Sequence, residues 1–170
     1  MAGMIAGMDW VAVNAKQPAL LNGSLGGPRS LAVNAAATAL SIMGVLRVIA
    51  AGNDAIDACG VSPASADRMV TVGASDQSDQ ETEFSNFGPC LWIYAPGKAI
   101  TSAKVGGGCI TLDGTSMAAP HVAGVSPLYK AANPTADPEK VALWLADQST
   151  KNTLKVSKSS PNRLLYTGGL

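Results

Sequence analysis

"RSLAVNAAATALSIMG" followed directly by "VLRVIAAGN", residues Arg29–Gly44 and Val45–Asn53, sets the fold class. The first stretch is alanine-rich and closes on Gly44, where a helix commonly ends in a left-handed residue. The second is a β-branched run that stops at Gly52. An extended stretch, "PALLNGSLGG" (Pro18–Gly27), precedes the helix, and "RMVTVGAS" (Arg68–Ser75) supplies another strand. Strand, helix, strand with short turns is the pattern of a parallel sheet wound by helices. The expectation is an α/β fold: a doubly wound, mainly parallel sheet with flanking helices.

The rest of the chain extends that pattern. Met4–Lys16 carries apolar residues at helical spacing (Ile5, Met8, Val11, Ala12). Asp76–Asn86 is polar and reads as a loop. "LWIYAPGKAITSA" and "KVGGGCITLDG" (Leu91–Gly114) read as short strands and a glycine-rich hairpin. A helix is expected from Thr115 to about Ala132. Another covers "DPEKVALWLADQS", with Pro138 in its first turn and Glu139 at the favourable end of the dipole. "SPNRLLY" reads as a final edge strand. Repeats and linkers are lacking, so residues 1–170 are taken as a single domain.

Composition narrows the function classes. Twelve basic residues balance twelve acidic ones, so no net field attracts nucleic acid or an anionic membrane, and neither is expected as a partner. No apolar run approaches the ~20 residues that cross a bilayer. "MAGMIAGMDWVAV" lacks a basic flank and contains Asp9, so it does not read as a signal peptide. Cys59, Cys90 and Cys109 make an odd count; a Cys59–Cys90 pair would leave Cys109 free, but spacing alone does not select it.

Chemistry concentrates in "ITLDGTSMAAPHVAGV" (Ile110–Val125), a glycine turn running into a small-residue helix with Ser116 at the seam. In open α/β sheets ligands sit beyond the carboxyl ends of the strands. "GSLGG", "AAGN" and "GTS" all fall at such ends. A serine at a helix start presents its backbone N–H to an incoming carbonyl oxygen, where the helix dipole favours negative charge. Asn53, after a strand, offers a second donor, and two donors on a developing oxyanion suit acyl transfer. Taken singly, a Gly-Thr-Ser before a helix more often caps than attacks.

"DGTSMAAPHVAGV" closely resembles the nucleophile motif of the subtilisin-like serine proteases, or subtilases. "IAGMDWV", "SLGG", "VIAAGN", "CGVSPAS", "VTVGASD", "FSNFG", "YAPG" and "SPNRLLY" follow the order of that family's proteinase K and aqualysin branch. The resemblance implies a subtilisin-like fold and a secreted serine endopeptidase acting on extended peptide or protein substrates through an acyl-enzyme on Ser116. Asn53 becomes the side-chain oxyanion donor beside the Ser116 N–H. Ser24, Leu25 and Gly26 become the edge that pairs with substrate backbone. Ala50, Ala51 and Gly52 become the wall of a roomy, uncharged side-chain pocket. Cys59 and Cys90 sit where secreted relatives carry a disulfide. No cofactor is required for catalysis.

The resemblance also exposes a gap. Subtilase triads run Asp, His, Ser, yet the one histidine here, His121, lies five residues beyond Ser116. That is about 140° around the helix, so His121 is expected to point away from the serine and into packing. Asp9 falls in a helical region, unlike the triad aspartate. The chain therefore reads as the C-terminal part of a subtilase catalytic domain whose Asp and His lie in an N-terminal segment, and as inactive alone. A non-catalytic, peptide-binding relative is the alternative.

Four residues depart from the family pattern. Arg47 stands in a buried strand, where a charge needs a partner. Pro127 falls inside a helix, at a cost of ~3 kcal/mol and a bend or early end. Trp92 replaces an aspartate that binds calcium in relatives, so that site is expected to be lost even with carbonyls near Asp67 and Met69. Asp54 places a negative charge beside the oxyanion site.

Overall fold

The computed structural model describes residues 1–157 and 159–168. The elements in chain order are α1 (Ala2–Asn14), β1 (Ala19–Gly23), β2 (Gly27–Pro28), α2 (Leu31–Ile42), β3 (Val45–Ala50), β4 (Val61–Ser62) and β5 (Val70–Ser75). They continue with β6 (Ile93–Pro96), β7 (Ile100–Ala103), β8 (Cys109–Leu112), α3 (Thr115–Ala132), α4 (Pro138–Gln148), β9 (Thr150–Lys151) and β10 (Arg163–Leu164). The main sheet runs β1-β3-β5-β6-β10-β9, and only the β9–β10 pairing is antiparallel.

Side-chain alternation explains the two-sided winding. Leu46, Val48 and Ala50 of β3 pack with Val70, Val72 and Ala74 of β5 against Ala118, Ala119 and Val122 of α3 and Leu145 of α4. Val45 and Ile49 point the other way, into a cluster with Met8 of α1 and Val33, Ala37 and Leu40 of α2. All six residues of β3 and of β5 are buried, as expected of central strands covered on both faces. The α/β, mainly parallel sheet read from the sequence is therefore the architecture observed.

Local signals set most boundaries. Ser30 caps α2 by accepting from the Val33 N–H, and Gly44 turns the chain out of it at φ +76°. Asp137 caps α4 and Pro138 takes its first turn. α3 runs through Pro127 to Ala132, the extent expected from its sequence. Two expectations need correction. The segment "SPNRLLY" does not form the sheet edge, because β10 lies between β6 and the two-residue β9. The first helix begins and ends two residues earlier than its apolar spacing suggested.

β1 is the outer strand at the opposite side of the sheet. Trp10, Val13, Leu31 and Ile42 on α1 and α2 are exposed. No helix among the described residues is long and apolar enough to cross a membrane.

Candidate active site

The carboxyl ends of β1 and β3 meet the amino end of α3. Between them lies an open cleft of about 560 Å³ whose walls include Ser24, Leu25, Gly26, Ala50, Gly52, Asn53 and Ser116. Seven of the eight residues singled out for the site thus share one depression. Parallel strands place successive loops on one side of the sheet, which is why positions 24, 53 and 116 converge.

Ser116 is the second residue of α3, after Gly114 at the cap and Thr115. Gly114 has φ +149°, a conformation favouring glycine, and its N–H donates to the Gly97 carbonyl at 2.7 Å. No acidic side chain occupies the first turn of α3, so its N-terminal positive potential is not offset there.

The geometry fixes the orientation of Asn53. Its Oδ1 accepts from the Thr115 backbone N–H at 2.8 Å and from Thr115 Oγ1 at 2.9 Å. A backbone N–H can only donate, so the oxygen of the amide must face α3. Nδ2, the group that donates, is left beside Gly114, where an added Cβ would lie 3.5 Å from it. Thr115 Oγ1 in turn accepts from the Gly52 N–H at 3.1 Å, which ties the β3 loop to the helix start.

Ser24 is joined to the same helix: its hydroxyl donates to the Ser116 carbonyl at 2.9 Å. That carbonyl would ordinarily accept from the residue four positions on, but position 120 is proline and has no N–H. The vacated acceptor anchors the Ser24–Gly26 edge to the serine-bearing turn.

Two site expectations differ from the structure. Ala51 does not reach the cleft, because the side chains of successive residues leaving a strand point to opposite sides. It is fully buried in a cluster with Ala58, Leu91, Tyr94 and Leu154. His121 lies outside the cleft walls but is exposed rather than packed, with Nδ1 2.8 Å from the Met117 carbonyl.

Asn86 is a site-supporting residue that sequence reasoning passed over. It is fully buried; Nδ2 donates to the Ala51 carbonyl at 2.8 Å, while Oδ1 accepts from the N–H groups of Asp54 and Ile56. One side chain thus shapes the loop that carries Asn53. Gly52, at φ +106°, lies so close that a Cβ there would clash with the Asn86 amide. The motif "FSNFG" contained Asn86, but nothing local marked it as buried.

Cys59 and Cys90 form a disulfide with Cα atoms 5.3 Å apart, and Cys109 is free and exposed on the β7–β8 hairpin. Asp54 is exposed. Trp92 is partly buried, its indole N–H donating to the Ala142 carbonyl at 2.9 Å. Among the described residues no three His, Cys, Asp or Glu side chains gather as a metal site.

Residues 1–164 match the Subtilase family, Peptidase_S8. The chain is 43% identical over 166 residues to the alkaline serine exoprotease A of Vibrio alginolyticus, covering 98% of this chain and 31% of that protein. It is 46% identical over 169 residues to an extracellular serine proteinase of Thermus sp. (strain Rt41A), covering 98% and 41%. It also superposes on a crystal structure of a cold-adapted subtilisin-like serine proteinase with TM-score 0.95 and 43% identity, covering 98% of this chain and 61% of that one. The chain therefore spans under half the length of these two curated relatives. With the fold, the serine motif and the matched length in agreement, this chain belongs to the subtilase family of serine proteases.

Proposed function

We propose that the chain supplies the nucleophile and oxyanion half of a secreted serine endopeptidase. Ser116 Oγ attacks the peptide carbonyl, and the Ser116 N–H and Asn53 Nδ2 receive the developing oxyanion. The Ser24–Gly26 edge pairs with substrate backbone, and Ala50 and Gly52 line an uncharged pocket suited to aromatic or aliphatic side chains. The observation that carries this reading is the locked Asn53 amide: Thr115 holds its oxygen, so its nitrogen is the end left to donate in the cleft of Ser116.

The proton acceptor is assigned to a segment outside these 170 residues. The chain has one histidine, and it lies away from the cleft. The longer relatives leave room for a segment bearing Asp and His. On this reading the isolated chain does not turn over. The Cys59–Cys90 bridge supports an oxidising, extracellular setting.

The test joins the chain to the N-terminal portion of the Thermus relative and measures peptide-amide hydrolysis. Activity is expected in the joined protein, none in the isolated chain and none after Ser116→Ala. Asn53→Ala should lower kcat by about 10²–10³, the size this donor has in subtilisin itself. Cleavage that survives Ser116→Ala overturns the assignment.

A further inference from the structure

The loop after β3 carries a carboxylate that the proposed chemistry leaves unused. Its backbone is pinned at successive residues: the N–H groups of Asp54 and Ile56 donate to Asn86 Oδ1 at 3.0 and 3.1 Å, and that of Ala55 donates to the Phe84 carbonyl at 3.0 Å. These bonds hold Asp54 through its main chain only. Its side chain is exposed, makes no ion pair among the described residues, and stands on the wall of the Ser116 cleft.

Asp54 is the one charged residue on that wall. Leu25, Ala50, Ile56 and Val61 make much of the remainder apolar, and no lysine or arginine shares it, although the chain has as many basic as acidic residues. Asp57, three residues on, accepts from the Cys59 N–H at 2.8 Å and lies outside the cleft wall. Asp54 also adjoins Asn53, the donor assigned to the oxyanion, where an uncompensated negative charge opposes the reaction and a cation beside it would offset that opposition. An apolar wall that carries an unpaired carboxylate fits a side chain with an aliphatic stem and a cationic tip. At ~30 Å³ per water, the 560 Å³ cleft equals about nineteen waters, which accommodates the length of such a side chain.

Given the peptide cleft proposed above, on which the assignment rests, we infer that Asp54 makes its pocket selective for lysine or arginine. The methylenes of that substrate residue lie against Ala50 and Val61, the surface that suits an aliphatic chain, and its cation pairs with the Asp54 carboxylate. Because Asp54 is exposed, the pair is screened by solvent and salt, so the preference is modest in size and falls with ionic strength.

The test uses the joined protein with Ser116→Ala, which binds without cleaving. It is titrated with two acetylated tripeptide amides, Ala-Ala-Lys and Ala-Ala-norleucine, alike in shape and differing in the cation. The lysine peptide should bind about fivefold more tightly at low salt, the upper range for an exposed ion pair. The ratio should fall toward one at ~1 M salt, where the screening length is about 3 Å. Asp54→Asn, which keeps the shape and the backbone bonds of the loop, should also bring the ratio near one, and Asp54→Lys should invert it. In the joined protein that retains Ser116, kcat/KM on the matching substrates should follow the same order. Equal binding of the two peptides, or a ratio that survives Asp54→Asn, overturns the inference. A binding ratio that behaves as stated in a protein without turnover would refute the Ser116 chemistry and leave the role of Asp54 standing.

Discussion

Replacing Arg47 by methionine should make the chain more stable. Two buried donors, Nε and Nη1, find no acceptor among the described residues, each at a cost of about 1–3 kcal/mol. Against that stands one charge-assisted bond to the Arg68 carbonyl, worth about 1.5–3 kcal/mol. Methionine keeps the unbranched stem, packs beside Ile49 and Met69, and removes the orphaned donors. The difference favours the variant by about 1–3 kcal/mol, in line with other exchanges of buried charge for apolar volume. With a urea dependence of about 2 kcal/mol/M, the unfolding midpoint should rise by about 0.5–1.5 M. An unchanged or lower midpoint would show that Arg47 is better accommodated than its contacts indicate.

The same residue gives that gain a pH dependence. Burial, then the charge of Arg68, pushes Arg47 down to about 10. Its folded-state value thus lies below its unfolded one. Below about pH 10 both states hold the proton and the full penalty applies. Above it the unfolded chain binds more protons than the folded one, so the wild type recovers stability as pH rises. The advantage of Arg47→Met should therefore be constant from pH 7 to 9 and shrink at pH 11. Paired urea titrations at those values measure the difference directly, since groups common to both proteins cancel.

Three other perturbations have defined outcomes. Asn86→Ala strands the carbonyl of buried Ala51 and frees the N–H groups of Asp54 and Ile56, and should cost about 2–4 kcal/mol in a urea titration; a loss under ~1 kcal/mol would deny that Asn86 shapes the loop. Reducing the Cys59–Cys90 bond, which closes a separation of 31 residues, should lower stability by about 3–4 kcal/mol, with an unmoved midpoint counting against a role in stability. In the joined enzyme, Thr115→Val should lower kcat by about tenfold with KM nearly unchanged, because it loosens an oxyanion donor and leaves the substrate edge intact; a rise in KM alone would place Thr115 in binding instead.

What the sequence made legible was what neighbouring residues decide. α3 begins and ends where glycine, threonine and the small-residue run placed it, and β3 and β5 follow their β-branched runs. Pro127 left open a bend or an early end because propensity is a local statement. Val122, Ala123 and Ser126 are buried around it, and the tertiary packing of α3 carries the helix through the lost hydrogen bond. β9 was invisible for a related reason: two residues carry no periodicity, and only its partner Arg163–Leu164 makes it a strand.

The site was legible in its donors and illegible in its supports. Ser116 and Asn53 announce themselves by adjacency to glycine turns, whereas what orients Asn53 spans 62 residues to Thr115 and what shapes its loop spans 35 residues from Asn86 to Ala51. Those pairings exist only once β1, β3 and β5 lie in register. That register also decides which alanine reaches the cleft: Ala50, packed against α3, still borders it, whereas Ala51 turns to the other side, into the cluster with Ala58 and Tyr94, although both belong to one motif. A motif therefore identifies the stretch that borders the cleft, and the sheet decides which of its side chains do so. By that logic Ala50→Val, which enlarges the wall without leaving it, should shift the joined enzyme toward smaller substrate side chains, whereas Ala51→Val should lower stability and leave preference unchanged. Profiling both variants on a set of peptide amides separates the two roles, and a preference that moves with Ala51 would mean that strand alternation fails at this loop.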